Sequence, residues 1–254
     1  MDVRQIRLTI AYDGTDCSGW QTQPGLPTIQ DSIETALERM LGRRPQIVGS
    51  GRTDAGVHAH AQVACFLTTA RYDPAIFANA VNAFLPPTIR ILHADEVSQA
   101  FHVTLDVVSK RYRYRVDNGP VADPMKLRHA HHVPARLDAG RMRRAAGALV
   151  GRHDFAAFQT VGSERLSTVR NVFACDVERV DDEVRIEVEA DGFLYNMVRA
   201  IAGTMILVGS GKWSEDRVGA ILKSCDRKIA GPTAPAKGLA MLWVNYDRPR
   251  HRMS

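Results

Sequence analysis

Seven consecutive residues, Lys110-Arg111-Tyr112-Arg113-Tyr114-Arg115-Val116, alternate without a break. Side chains of a strand point to opposite faces in turn. As a strand, this segment puts Lys110, Tyr112, Tyr114 and Val116 on one face and three arginines on the other. Around it the chain reads as a mixture of strands and helices. Residues 7–12 form a first strand, stopped by Asp13-Gly14, and a polar loop over 15–21 carries Trp20. Thr28 is a helix N-cap with Asp31 three residues on, and Ile29, Ile33, Leu37 and Leu41 follow at four-residue spacing. Residues 46–49 and 62–67 read as strands. Asp73-Pro74 opens a second helix to about Phe84, with proline at its first position.

The second half repeats the mixture. Asp138 caps a helix to about Leu149 whose outer face carries Arg141, Arg143 and Arg144. Val184, Ile186, Val188 and Ala190 alternate in a strand. The most apolar helix spans about 193–208 and is stopped by Gly209 and Gly211. Ser214 caps a shorter helix to Leu222, and a strand over 239–246 closes the chain. The pattern is α+β, divided into 1–106 and 107–254.

Composition bounds the function. The 254 residues are 45% hydrophobic and 24% charged, as in a soluble globular protein. No apolar run approaches the ~20 residues that span a bilayer. The start, Met1-Asp2-Val3-Arg4-Gln5, lacks the apolar core of a signal peptide. The 4 cysteines stand singly, which argues against a zinc site or disulfide framework and suggests the cytosol. A net charge of +5, rich in arginine, suits a polyanionic partner and equally an arginine-rich proteome.

The stretch Gly51-Arg52-Thr53-Asp54-Ala55-Gly56-Val57-His58-Ala59 places one acid beside one base in a glycine-flanked turn between two strands. Such a loop holds a reactive group rigidly while exposing it. An Asx-turn, with Asp54 bonding its own backbone, is the plainer alternative. A lone strand tyrosine is usually core, and Tyr114 is read so. Arg199 sits in an apolar helix, where it needs a partner or an exit to water. His58 with His60, and His129 with His131 and His132, lack the cysteine or acidic spacing of a metal site.

The whole stretch resembles the signature of the tRNA pseudouridine synthases of the TruA family. Tyr12-Asp13-Gly14-Thr15 with Gly19-Trp20-Gln21, Arg111-Tyr112-Arg113-Tyr114, Phe193-Leu194-Tyr195-Asn196-Met197-Val198-Arg199 with Gly203, and Lys237-Gly238-Leu239 agree with it in order. The resemblance implies a pseudouridine-synthase-like fold: two similar antiparallel-sheet domains with helices on one face and a basic cleft between them. It implies conversion of uridine to pseudouridine at positions 38, 39 and 40 of the tRNA anticodon arm, by a cytoplasmic homodimer without cofactor or metal. It makes Asp54 the catalytic aspartate, Tyr112 the tyrosine beside the target base and Arg199 the partner of the aspartate. Arg52 is a candidate for insertion into the RNA, and Arg111, Arg143, Arg144 and Arg165 are candidate phosphate contacts. Cys17 and Thr104 depart from the family pattern. The competing readings are a non-catalytic RNA-binding or RNA-chaperone protein on the same scaffold, and a hydrolase, for which Asp13 is the only tempting second carboxylate.

Overall fold

The computed structural model describes residues 2–160 and 167–247. The chain forms two compact units. One runs to Val108 and takes up the chain again from Met241; the other is Ser109–Ala240. The closing segment thus groups with the first unit although it comes last in sequence, unlike a simple cut after residue 106. Its anchors are tertiary. Val244 and Tyr246 pack against Val63, Cys65 and Val103, and the Tyr246 hydroxyl donates to the Val103 carbonyl at 2.7 Å.

The first unit contains β1 (Arg4–Tyr12), α1 (Ile29–Leu41), β2 (Val48–Gly49), β3 (His58–Thr68), α2 (Pro74–Asn82) and β4 (Ile89–Val97). The strands run in the order β4-β1-β3, antiparallel, with β2 on β3. Ile6, Leu8, Ile10 and Tyr12 share the buried face of β1. Phe77 of α2 meets Phe66 of β3 edge-on at 5.6 Å on that face. α1 forms where its cap and stripe predict: the Asp31 amide donates to Thr28 Oγ1, and Gly42 ends the helix at φ 70°. α2 has Pro74 at its start, with the Asp73 side chain accepting from the Ala75 amide. β2 is shorter and β3 longer than the sequence pattern suggests, and β4 has no clear signature. A bulge opposite Thr9 and Ile10 interrupts the pairing of β4 with β1.

The second unit contains β5 (Ser109–Asp117), β6 (His131–His132), α3 (Ala139–Ala146), β7 (Gly151–Asp154), β8 (Val169–Val180), β9 (Glu183–Ala190), α4 (Met197–Gly209) and α5 (Arg217–Ser224); β10 (Leu239–Asn245) begins at its end. The strand order is β5-β9-β8-β7, antiparallel, with the short β6 parallel to β5. Tyr112, Tyr114 and Val116 lie on the buried face with Val184, Ile186 and Val188 of β9, and α3 packs against β8 and α4. Each unit is therefore an antiparallel sheet with helices against its apolar face, the α+β arrangement expected.

Three boundaries move for local reasons. α4 starts at Met197, not Phe193, because Asn196 adopts a left-handed backbone at φ 61°. α3 gives way to a single tighter turn over Gly147–Leu149. α5 starts at Arg217, with Asp216 and not Ser214 at the N-cap position but without a side-chain capping bond, and the Ser214 carbonyl accepts from the Arg217 amide.

Candidate active site

Asp54 sits in a tight turn closed by the Val57 amide donating to the Asp54 carbonyl at 3.1 Å. Gly56 takes φ 77° within it. The turn is gripped from both sides. The Trp20 amide donates to the Thr53 carbonyl at 3.0 Å, and Thr53 Oγ1 is 2.8 Å from the Tyr12 hydroxyl. Burial pushes the Tyr12 phenol far above its ordinary value, so it remains a neutral hydroxyl. Gln62, fully buried, donates to the Gly51 carbonyl at 2.9 Å and accepts from the Ser50 hydroxyl and the Val63 amide. A side chain at Gly14 would overlap the Val57 carbonyl, 2.0 Å from an added Cβ. The loop is thus pressed against the turn that follows β1 by main-chain contact that only glycine allows.

This frame leaves Asp54 half-buried and Arg52 exposed. Arg52 forms no hydrogen bond or ion pair with a described residue. His58, by contrast, is built in. Its Nδ1 accepts from the Gly14 amide at 3.1 Å and lies 3.1 Å from Asp13 Oδ1. Cys17 holds the turn through its backbone, its carbonyl accepting from the Gly56 amide at 3.3 Å. The bond does not depend on which side chain stands there. Thr104 Oγ1 donates to the Gly49 carbonyl at 3.3 Å.

Tyr112 and Arg199 belong to the second unit. The Tyr112 ring meets Phe193 edge-on, with centroids 5.0 Å apart. Tyr114, two residues on, is completely buried, and its hydroxyl donates to the Pro235 carbonyl at 2.9 Å. Gly238 lies under its ring, where a Cβ would come within 2.6 Å. Burial raises the Tyr114 phenol well above its usual value, which Arg199 partly offsets. Arg199 lies in the first turn of α4, half-buried. Its Nε donates to the Ala234 carbonyl at 2.8 Å and its Nη1 to Asn196 Oδ1 at 2.7 Å. The strap carrying Ala234 and Pro235 is close because Gly203 lets it in: a Cβ there would fall 1.8 Å from the Pro232 carbonyl oxygen.

The remaining arginines are placed differently. Arg111 projects from the face of β5 opposite Tyr112 and is neutralised by Asp176 at 2.7 Å, Glu187 at 2.7 Å and Glu189 at 3.4 Å. Arg144 holds Glu215 with two hydrogen bonds, 2.9 and 2.8 Å. Arg143 is exposed and donates to the Val177 carbonyl at 2.9 Å. Arg165 lies outside the described residues. Phe193 was not singled out from sequence. Its position just ahead of the arginine helix, within the Phe193-to-Arg199 motif, was the available signal.

Comparison with known proteins gives one consistent result. The family model described as tRNA pseudouridine synthase matches residues 8–106 and 145–247. The chain is 46% identical over 244 residues to tRNA pseudouridine synthase A of Brevibacillus brevis, covering 96% of this chain and 100% of that protein. It is 44% identical over 245 residues to that of Ruminiclostridium cellulolyticum, again 96% and 100%. With that of Acetivibrio thermocellus it shares 42% identity over 244 residues, at the same coverage.

Proposed function

This chain belongs to the tRNA pseudouridine synthase family, and from that premise we propose that Asp54 is its catalytic carboxylate. The enzyme isomerises uridine in tRNA to pseudouridine. The bond from C1′ to N1 breaks, the uracil turns, and C1′ joins C5 as the C5 hydrogen leaves and N1 gains one. Reactant and product have the same atoms, so the balance calls for no co-reactant. A carboxylate starts the reaction as nucleophile or as base toward the sugar. The observation that carries the assignment is the Asp54 turn, which Tyr12 and Trp20 hold at Thr53 and Gln62 holds at Gly51 while Asp54 is left half-buried. Rigid support beneath a partly accessible group is what a positioned reactant requires.

Arg199 is the cation proposed to keep the carboxylate ionised, since a guanidinium does not deprotonate. Tyr112 is proposed to stack on the uracil and assist removal of the C5 proton. The target base must leave its helix to be reached, and Arg52, exposed beside Asp54, is the candidate to fill the vacated space. Among the phosphate candidates, Arg143 fits better than Arg111 or Arg144, whose charges already face carboxylates. The uridines at positions 38, 39 and 40 of the anticodon arm, a homodimer and the cytosol are proposed from the family resemblance. Among the described residues no helix is long and apolar enough to cross a membrane. The test is incubation with unmodified tRNA followed by base-by-base mapping of pseudouridine. Product confined to those three positions is expected. Modification elsewhere would overturn the site assignment, and tight binding without product would favour the RNA-chaperone reading.

The two tyrosines of β5 should separate cleanly. Tyr112→Phe keeps the ring contact with Phe193 and should fold and bind tRNA normally, yet be slowed severely in single turnover. Tyr114→Phe removes one buried hydrogen bond to Pro235, about 1–2 kcal/mol of stability, and should be mild in rate. Thermal melts and matched single-turnover rates check this. A larger rate loss in Tyr114→Phe would show that the roles had been assigned to the wrong tyrosine.

A further inference from the structure

The residue at the head of α4 uses its side chain in an uncommon way. An asparagine N-cap normally turns its oxygen onto the amide two or three residues ahead. Asn196 occupies the N-cap of α4 in a left-handed conformation, φ 61°, and makes no such capping bond. Its Oδ1 instead accepts from Arg199 Nη1 at 2.7 Å, while its Nδ2 donates to Thr160 Oγ1 at 2.9 Å. On the neighbouring nitrogen, Arg199 Nε donates to the Ala234 carbonyl at 2.8 Å.

We propose that Asn196 is a positioning residue for Arg199, and that Thr160 orients the Asn196 amide so that its oxygen faces the guanidinium. The inference rests on the reading of Arg199 as part of the catalytic site. A guanidinium is a rigid plane with donors in fixed directions. Two acceptors, one on Nε and one on Nη1, define that plane and stop its rotation. Asn196 supplies one of the points that fix the plane, and the helix gives up a side-chain cap in exchange. The left-handed backbone aims the amide along the first turn of α4 at the residue three positions on. The cation is thereby oriented before substrate arrives, which is where electrostatic assistance is most effective.

Asn196→Gly separates this role from a structural one. Glycine adopts the left-handed conformation without strain, which offsets part of the stability lost with the two side-chain hydrogen bonds, so the fall in Tm should be small. The kcat on unmodified tRNA should fall about tenfold or more, as for loss of a hydrogen bond to a charged group, with KM within about twofold. Thr160→Val should lower kcat in the same direction and Thr160→Ser should restore it. Side-chain nitrogen-15 NMR gives a readout that does not need turnover: the Arg199 Nη groups should rotate faster in Asn196→Gly than in the wild type. Unchanged kcat together with unchanged guanidinium rotation would overturn the proposal. A loss of Tm in Asn196→Gly that accounts for all lost activity would do so too. If wild-type protein formed no pseudouridine, the functional reading would fall, and the NMR comparison would still decide whether Asn196 holds Arg199.

Discussion

Asp54→Asn, purified free of wild-type enzyme, is expected to form no measurable pseudouridine while still binding tRNA. The substitution is nearly isosteric and exchanges the charged carboxylate for a neutral amide. The turn itself should persist, because its main-chain bonds run through the carbonyls of Thr53, Asp54 and Cys17 and not through the carboxylate. The clamps from Tyr12 and Gln62 also act on neighbouring residues. The fold, Tm and tRNA affinity should therefore be close to wild type. The rate should fall by at least about 10⁴-fold, the scale seen when a reacting group is lost. Turnover within about tenfold of wild type, measured by single-turnover release of the C5 hydrogen, would reject Asp54 as the reacting group.

Arg199→Met should show the second-largest effect. Methionine suits an apolar helix, so the protein should fold. The Ala234 carbonyl and Asn196 Oδ1 would lose their donors, which costs about 1–3 kcal/mol of stability. The chemical consequence should be larger, a rate loss on the order of 10²–10³-fold at neutral pH. The sign of the pH dependence follows from the proposed role. A carboxylate deprived of a nearby cation ionises at higher pH. If only ionised Asp54 reacts, the residual rate of Arg199→Met rises toward alkaline pH more steeply than that of the wild type. Arg199→Lys keeps the charge but not the planar fork, and should retain slight activity with a flatter profile. Full activity of Arg199→Met at neutral pH, or a residual rate that falls as pH rises, would show that Arg199 does not serve the carboxylate in this way.

Local features of the chain were legible without a structure. Thr28, Asp31 and the four-residue stripe define α1 because a helix closes its bonds within a few residues. The alternation through Lys110–Val116 defines β5 for the same reason, since face follows from parity alone. The Asp54 turn was visible because its glycines and its acid are contiguous. β4 and β8 were missed because bulges near Thr9 and Ile10, and at Val172 and Ala174, break the register on which period-two reading depends. The extension of β2 to four residues and the start of α4 at Phe193 were overestimated for a related reason: pairing partners and a single left-handed residue set those limits.

Tertiary structure decided what parity and spacing leave equal. Tyr112 and Tyr114 share a face, but Phe193 stands at one ring and the Pro235 carbonyl at the other hydroxyl, both far along the chain. Arg111 and Arg143 look alike as basic residues until Asp176, Glu187 and Glu189 arrive from β8 and β9 to neutralise one of them. Asn196 falls inside the helix that the sequence pattern suggests until the fold puts it at the N-terminus of α4, where Thr160 and Arg199 take its side chain. By itself the sequence determined the helices and the regularly alternating strands, and the presence of Asp54, Tyr112 and Arg199, because backbone preference and side-chain type are properties of short stretches. Which charges are already neutralised, which hydroxyls are engaged and which way a guanidinium is held depend on partners tens of residues away, and only folding brings those within hydrogen-bond reach.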